Sequence, residues 1–140
     1  MDVEMGKLMF YAGLLACLLL AGTGEAQTYQ EYIERSYDYL DNQDYFSAEE
    51  CLRAAMRLEP ANPNNYALLM NLGTIQRQQG KLEDAALSYT AALSGHPENE
   101  TILENRASLY VEMNEVDKAM SDYNALLILN PLNQEALYYR

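Results

Sequence analysis

The sequence predicts an all-α fold: antiparallel helix hairpins stacked into an α-solenoid behind a short hydrophobic leader. Three observations carry this. Similar side chains recur 34 residues apart, pairing Gly73 with Ala107, Ala85 with Ala119, Tyr89 with Tyr123 and Pro97 with Pro131. Within each period the apolar positions follow a helical spacing rather than a strand alternation. Seven Gly and four Pro in 140 residues are too few for a turn-rich β protein or a disordered tract. Self-similarity at a period of roughly 20–50 residues marks a repeat array and outranks any single-residue motif.

The first element lies outside the repeats. From Leu8 to Ala21 the chain carries no charge, and Gly22, Thr23 and Gly24 extend the neutral run to 17 residues. A spanning helix needs about 20 apolar residues, so the run fits the hydrophobic region of a signal peptide over residues 1–26. Gly24 and Ala26 supply the small residues expected before a cut at Gln27. Asp2 and Glu4 offset Lys7, and a start at Met5 would restore a positive N-terminal region. An uncleaved anchor and a lipoprotein modified at Cys17 are the alternatives, although Leu18, Leu19 and Leu20 continue the apolar run past that cysteine. All three readings put the remaining chain across or against a membrane. The short leader and the Ala26–Gln27 junction suggest a bacterial periplasm or cell envelope.

The repeats follow, with hairpins over residues 29–62, 66–99 and 100–133 and a partial fourth over 134–140. In the middle hairpin Leu69, Leu72, Gly73 and Gln76 form one stripe, and Leu82, Ala85, Ala86, Tyr89, Ala92 and Leu93 form the second. Gln79-Gly80-Lys81 breaks them, with Gly80 supplying a left-handed cap. Asn42-Gln43-Asp44 and Asn114-Glu115 hold the same place elsewhere, Asn being the expected left-handed residue. Asn64 and Asn99 are the expected N-caps. Ala48, Leu52, Ala55 and Pro60 repeat the frame of Ala85, Tyr89, Ala92 and Pro97 after a three-residue insertion. Small residues at Ser36, Gly73, Ala107, Ala48, Ala85 and Ala119 let paired helices approach, while Tyr32, Tyr39, Tyr89, Tyr110 and Tyr123 fill the gaps between hairpins. Leu137 falls at the large-residue position of the fourth unit, and Tyr138 and Tyr139 are not the polar cap that ends a solenoid. This end is therefore expected to continue as a longer array or to dock on another molecule, self-association included.

On these residues the chain resembles the tetratricopeptide repeat family over essentially all of residues 29–137. The middle unit carries that family's pattern through Leu69, Leu72, Gly73, Gly80, Ala85, Tyr89, Ala92 and Pro97, departing at Gln76. The third departs at Arg106, Asn114 and Leu126, the first at Arg35 and Gln43. The resemblance implies a right-handed superhelix that binds a protein or peptide along its concave groove. Family geometry turns Ile33, Tyr37, Leu40, Met70, Thr74, Arg77, Glu104 and Ser108 toward that groove, together with Gln30, Ala67, Thr101 and Val111. Ile33, Tyr37 and Leu40 add an apolar stripe beside the core stripe Tyr32, Ser36 and Tyr39, more than a terminal helix needs. That surplus is a candidate contact patch; the other reading packs it on the N-terminal segment or on a second copy. One subset of the family grips acidic C-terminal peptides with a carboxylate clamp. The clamp positions here hold Ile33, Tyr37, Asn71, Thr101 and Asn105, without a cation among them, so binding of that kind is not expected.

Catalysis finds no constellation. His96 sits in a turn, read as solvated, and Cys51 lies beside Glu49 and Glu50, which disfavour a thiolate. Asn99-Glu100-Thr101 matches a short glycosylation sequon of little specificity. No cofactor or metal is expected, and a formal charge of −12 argues against nucleic acid. Contact with a membrane would come only through the leader or Cys17. Glu31, Glu34, Asp38 and Asp41 line one flank of the first helix, as a solvated face or as a steering surface for a basic partner. The sequence therefore predicts an exported interaction or scaffolding module, or else the N-terminal part of a longer envelope-anchored repeat protein.

Overall fold

The computed structural model describes residues 28–140. The leader, the cut before Gln27, Cys17 and the Met5 start fall outside them. Among the described residues there are seven helices and no strand: α1 (Tyr29–Asp41), α2 (Tyr45–Leu58), α3 (Asn65–Gln78), α4 (Leu82–Gly95), α5 (Glu100–Glu112), α6 (Val116–Leu129) and α7 (Gln134–Tyr139). None of them is long and apolar enough to cross a membrane. The chain divides after Asn62 into two compact units, one holding α1 and α2 and the other α3 to α7.

The first unit is a single hairpin. Thr28 starts α1 with a reciprocal cap: its hydroxyl accepts from the Glu31 amide at 3.2 Å, and its own amide donates to the Glu31 carboxylate at 2.7 Å. Asp44 starts α2 by accepting from the Ser47 amide at 3.1 Å. Ser36 and Ala48 are fully buried, as their small size requires. The Ser36 hydroxyl donates to the Ile33 carbonyl at 2.6 Å, so no polar atom is stranded there. Cys51 on α2 is fully buried.

The second unit stacks α3–α4 on α5–α6 and closes with α7. Its core is one cluster drawn from α4 to α7, with Tyr89, Ile102, Leu109, Tyr123 and Leu126 the largest side chains sealed in it. Gly73 explains how α3 and α4 meet. A Cβ there would stand 2.8 Å from Tyr89 Cε1 and 3.2 Å from the Ala85 carbonyl oxygen, so the ring occupies the space a side chain would need.

Each hairpin turns by the same hydrogen bonds. The Gly80 amide donates to the Arg77 carbonyl at 3.0 Å and the Lys81 amide to Gln76 at 2.9 Å; Asn114 with Val111 and Glu115 with Tyr110 repeat the pair, as do Gln43 with Leu40 and Asp44 with Tyr39. Gly80 and Asn114 are left-handed as expected, at φ 76° and 59°. In the first hairpin, however, the left-handed residue is Gln43 at φ 58°, not an asparagine. The reason is register. The left-handed residue always immediately precedes the N-cap of the next helix, and Asp44 is that cap. Asn42 instead ends α1, its side-chain amide donating to the Asp38 carbonyl at 2.7 Å.

Three further expectations change in detail. Asn99 caps α5 by accepting from the Ile102 amide at 3.1 Å, but the Asn64 side chain makes no capping bond. Asn64 has a helical backbone, φ −87° and ψ −1°, where a cap needs an extended one. On α3 it is Leu68 and Ile75 that are buried beside Leu72, while Leu69 is half-buried. On α7 Ala136 is sealed and Leu137 is about half exposed, because so short a helix meets α6 along one side only. Finally, the family departures at Gln76 and Arg106 are both satisfied by partners on the following helix. Gln76 Oε1 accepts from the Ser88 hydroxyl at 2.6 Å. Arg106 grips Asp122 with two bonds of 2.8 and 2.7 Å and donates to Thr90 at 3.0 Å.

Candidate protein-interaction surface

In the second unit the predicted groove positions fall on α3 and α5, which run beside one another. Arg77 bridges them. Its Nε donates to Glu112 at 2.7 Å and its Nη2 to Ser108 at 3.1 Å, so two predicted groove residues are joined directly. The guanidinium is thereby matched by a carboxylate of its own chain. Thr74 is exposed, and its hydroxyl lies 2.9 Å from the Tyr89 phenol while bonding the Met70 carbonyl at 3.2 Å. Met70 keeps part of its surface exposed while packing on the core cluster. Glu104, half-buried, accepts from the Asn133 side chain at 3.4 Å, which ties α5 to the cap of α7.

α7 is held by a second bond. The Tyr123 phenol donates to Glu135 at 2.9 Å and its ring stacks on Tyr139 with centroids 5.1 Å apart. Burial, and then the Glu135 carboxylate, push this phenol far above the ordinary tyrosine range. Arg106 is likewise raised by its hydrogen bonds to Asp122, which fixes its charge inside the hairpin rather than at the surface.

In the first unit Ile33, Tyr37 and Leu40 share one side of α1. Tyr37 is half exposed and the other two are half-buried, so the stripe is partly open to solvent. Glu31, Glu34, Asp38 and Asp41 are all exposed. His96 is exposed as expected, with its ring against Tyr66 at a centroid distance of 3.9 Å.

Glu112 was not among the residues singled out from the sequence, although it determines what Arg77 can do. The signal was available: Glu112 follows Ser108 by one helical turn and lies one repeat plus one residue after Arg77. The clamp positions Asn71, Thr101 and Asn105 are half-buried, exposed and half-buried.

Two tetratricopeptide repeat profiles match this sequence, one over residues 33–100 and the other over 101–131. The chain belongs to the tetratricopeptide repeat family. A solved tetratricopeptide repeat protein from Parabacteroides merdae ATCC 43184 is 68% identical, with a TM-score of 0.78 over 81% of this chain. The match spans 44% of that longer protein. The first repeat domain of Spaghetti (RPAP3), solved with the HSP90 peptide SRMEEVD, is 22% identical with a TM-score of 0.67, covering 81% of this chain and 88% of that one. The second repeat domain of human RPAP3, solved with the HSP70 peptide SGPTIEEVD, is 20% identical with a TM-score of 0.66, covering 77% of this chain and 88% of that one. These two likenesses concern the fold. No curated protein matches the sequence.

Proposed function

We propose that this chain is an exported, non-catalytic interaction module that holds a protein or peptide partner along the first helices of its repeats. Repeat domains of the same fold carry bound peptides in the RPAP3 complexes, which supports reading the exposed and half-buried residues of α3 and α5 as a binding strip here. The observation that carries the reading is the Arg77 bridge. It orders both helices side by side while consuming the strip's own cation. The ligand is therefore recognised by apolar contact and neutral hydrogen bonds rather than through a terminal carboxylate. Within the first unit, Ile33, Tyr37 and Leu40 form a separate apolar patch on α1. Bacterial export is supported by the uncharged run from Leu8 to Gly24 in the leader and by a bacterial relative at 68% identity.

Affinity capture from the envelope fraction of the host tests this, comparing wild type with Ile33→Asp/Tyr37→Ala. Loss of a captured protein with unchanged helicity supports the patch; an identical captured set removes it. The peptide SRMEEVD should fail to bind in fluorescence anisotropy, and micromolar affinity for it would overturn the exclusion of acidic tails. Mass spectrometry of the exported chain should find Gln27 at its N-terminus.

A second reading rests on the length of the 68% identical relative, of which the match spans 44%. In it the chain is the N-terminal part of a longer envelope-anchored array whose further units set specificity. Sequencing the gene beyond the Arg140 codon for another Ala…Tyr…Ala…Pro frame separates the two.

A further inference from the structure

We propose that Glu112 acts as an internal ligand that sets which charge the α3–α5 strip accepts, an inference that rests on reading the strip as a binding surface. Arg77 presents Nε and Nη2 along one edge of its guanidinium, the edge that holds a carboxylate with two parallel bonds. Nε donates to Glu112 Oε2 at 2.7 Å and Nη2 to the Ser108 hydroxyl at 3.1 Å. A carboxylate and a hydroxyl of α5 therefore stand where the acidic group of a ligand would bind. The site is open to solvent, with the Arg77 side chain 30% exposed and that of Glu112 45%.

The repeat frame does not call for this pair. One repeat after Arg77 the same position holds Val111, and an exposed ion pair adds little to stability. Its consequence for a ligand is larger. An acidic group that displaces Glu112 from Arg77 leaves two carboxylates beside one guanidinium, like charge against like. The other cation of these two helices, Arg106, is held by Asp122, so the second negative charge finds no compensation there. Neutral donors and basic side chains meet no such repulsion. Glu112 thus excludes acidic segments from the strip, and neutralising it turns Arg77 and Ser108 into an anion site.

Titration of the full chain with inorganic phosphate at constant ionic strength, followed on the Arg77 Nε–H resonance, tests this. Glu112→Gln should bind phosphate roughly tenfold more tightly than wild type, the gain expected when a charge-assisted bond becomes free. Glu98→Gln removes the same charge at an exposed residue of the turn before α5 and should behave as wild type, all chains keeping the same circular dichroism. A Glu112→Gln response no stronger than that of wild type or of Glu98→Gln would overturn the assignment. The peptide SRMEEVD, read by anisotropy, separates this role from the wider reading. Its binding to Glu112→Gln but not to Glu112→Gln/Arg77→Met supports both. A phosphate response without peptide binding supports the role of Glu112 and counts against the strip as a peptide surface.

Discussion

The second and third hairpins share a backbone frame and solve the contact between their helices with opposite chemistry. In α3–α4 the paired faces meet through Gly73, the Tyr89 ring and a neutral bond from Ser88 to Gln76. In α5–α6 they meet through Ala107, the Tyr123 ring and the ion pair of Arg106 with Asp122. The frame fixes where small and large side chains go. It leaves open whether the polar position is amide and hydroxyl or guanidinium and carboxylate, provided that each donor finds its acceptor. A repeat family can therefore keep its shape while its units differ in sensitivity to substitution, charge and pH.

The largest expected effect lies in the charged hairpin. Arg106→Met leaves the Asp122 carboxylate, 6% exposed, without its cation and should cost about 3 kcal/mol in urea denaturation. Arg106→Met/Asp122→Leu should recover most of that loss. A double variant as unstable as the single one would show that the pair does more than satisfy itself.

A smaller loss is expected at alkaline pH and again belongs to the third hairpin. The Tyr123 pKa is raised in the folded chain, so folding favours the protonated phenol. Its contribution is complete below the ordinary tyrosine pKa of about 10 and declines as pH rises from there toward the folded value. Thermal melts above that pH should fall more steeply for wild type than for Tyr123→Phe, with phenolate absorbance reporting the titration.

In the neutral hairpin Gly73→Ala sets a helix-propensity gain of about 1 kcal/mol against a Cβ pressed on Tyr89 and the α4 backbone. The contact at 2.8 Å with a buried ring dominates, and a net loss of about 1–2 kcal/mol is expected. Stabilisation instead would show that the ring moves freely. The smallest effect extends the comparison to the first hairpin. Gln43→Gly relieves a left-handed backbone that Gly80 already adopts in the second and should raise stability by about 0.5 kcal/mol.

The architecture was legible in the sequence because it depends on the size of side chains at fixed intervals. Ala48, Ala85 and Ala119 are buried as their spacing requires, and the breaks at Gln43, Gly80 and Asn114 fall where the stripes stop. What stayed hidden was pairing. Arg106 read as a departure from the family pattern, since nothing in one dimension says that Asp122, 16 residues on, faces it across a hairpin. Arg77 read only as a groove-facing position for the same reason, because its partner Glu112 sits on the neighbouring repeat. Propensity also misplaced the left-handed residue of the first turn. The N-cap on the far side of the turn fixes the register, and it put a glutamine where an asparagine stood one step away.

The ring of Tyr89 is sealed inside the second unit, yet its oxygen reaches the exposed hydroxyl of Thr74. Any ligand that claims that hydroxyl must compete with a tether running into the interior. The chain has no tryptophan, so its ultraviolet emission comes from tyrosine, and a phenol released or re-bonded at this point changes that emission. Occupation of the proposed α3 strip would thus carry a built-in optical readout, without a label attached anywhere on the protein.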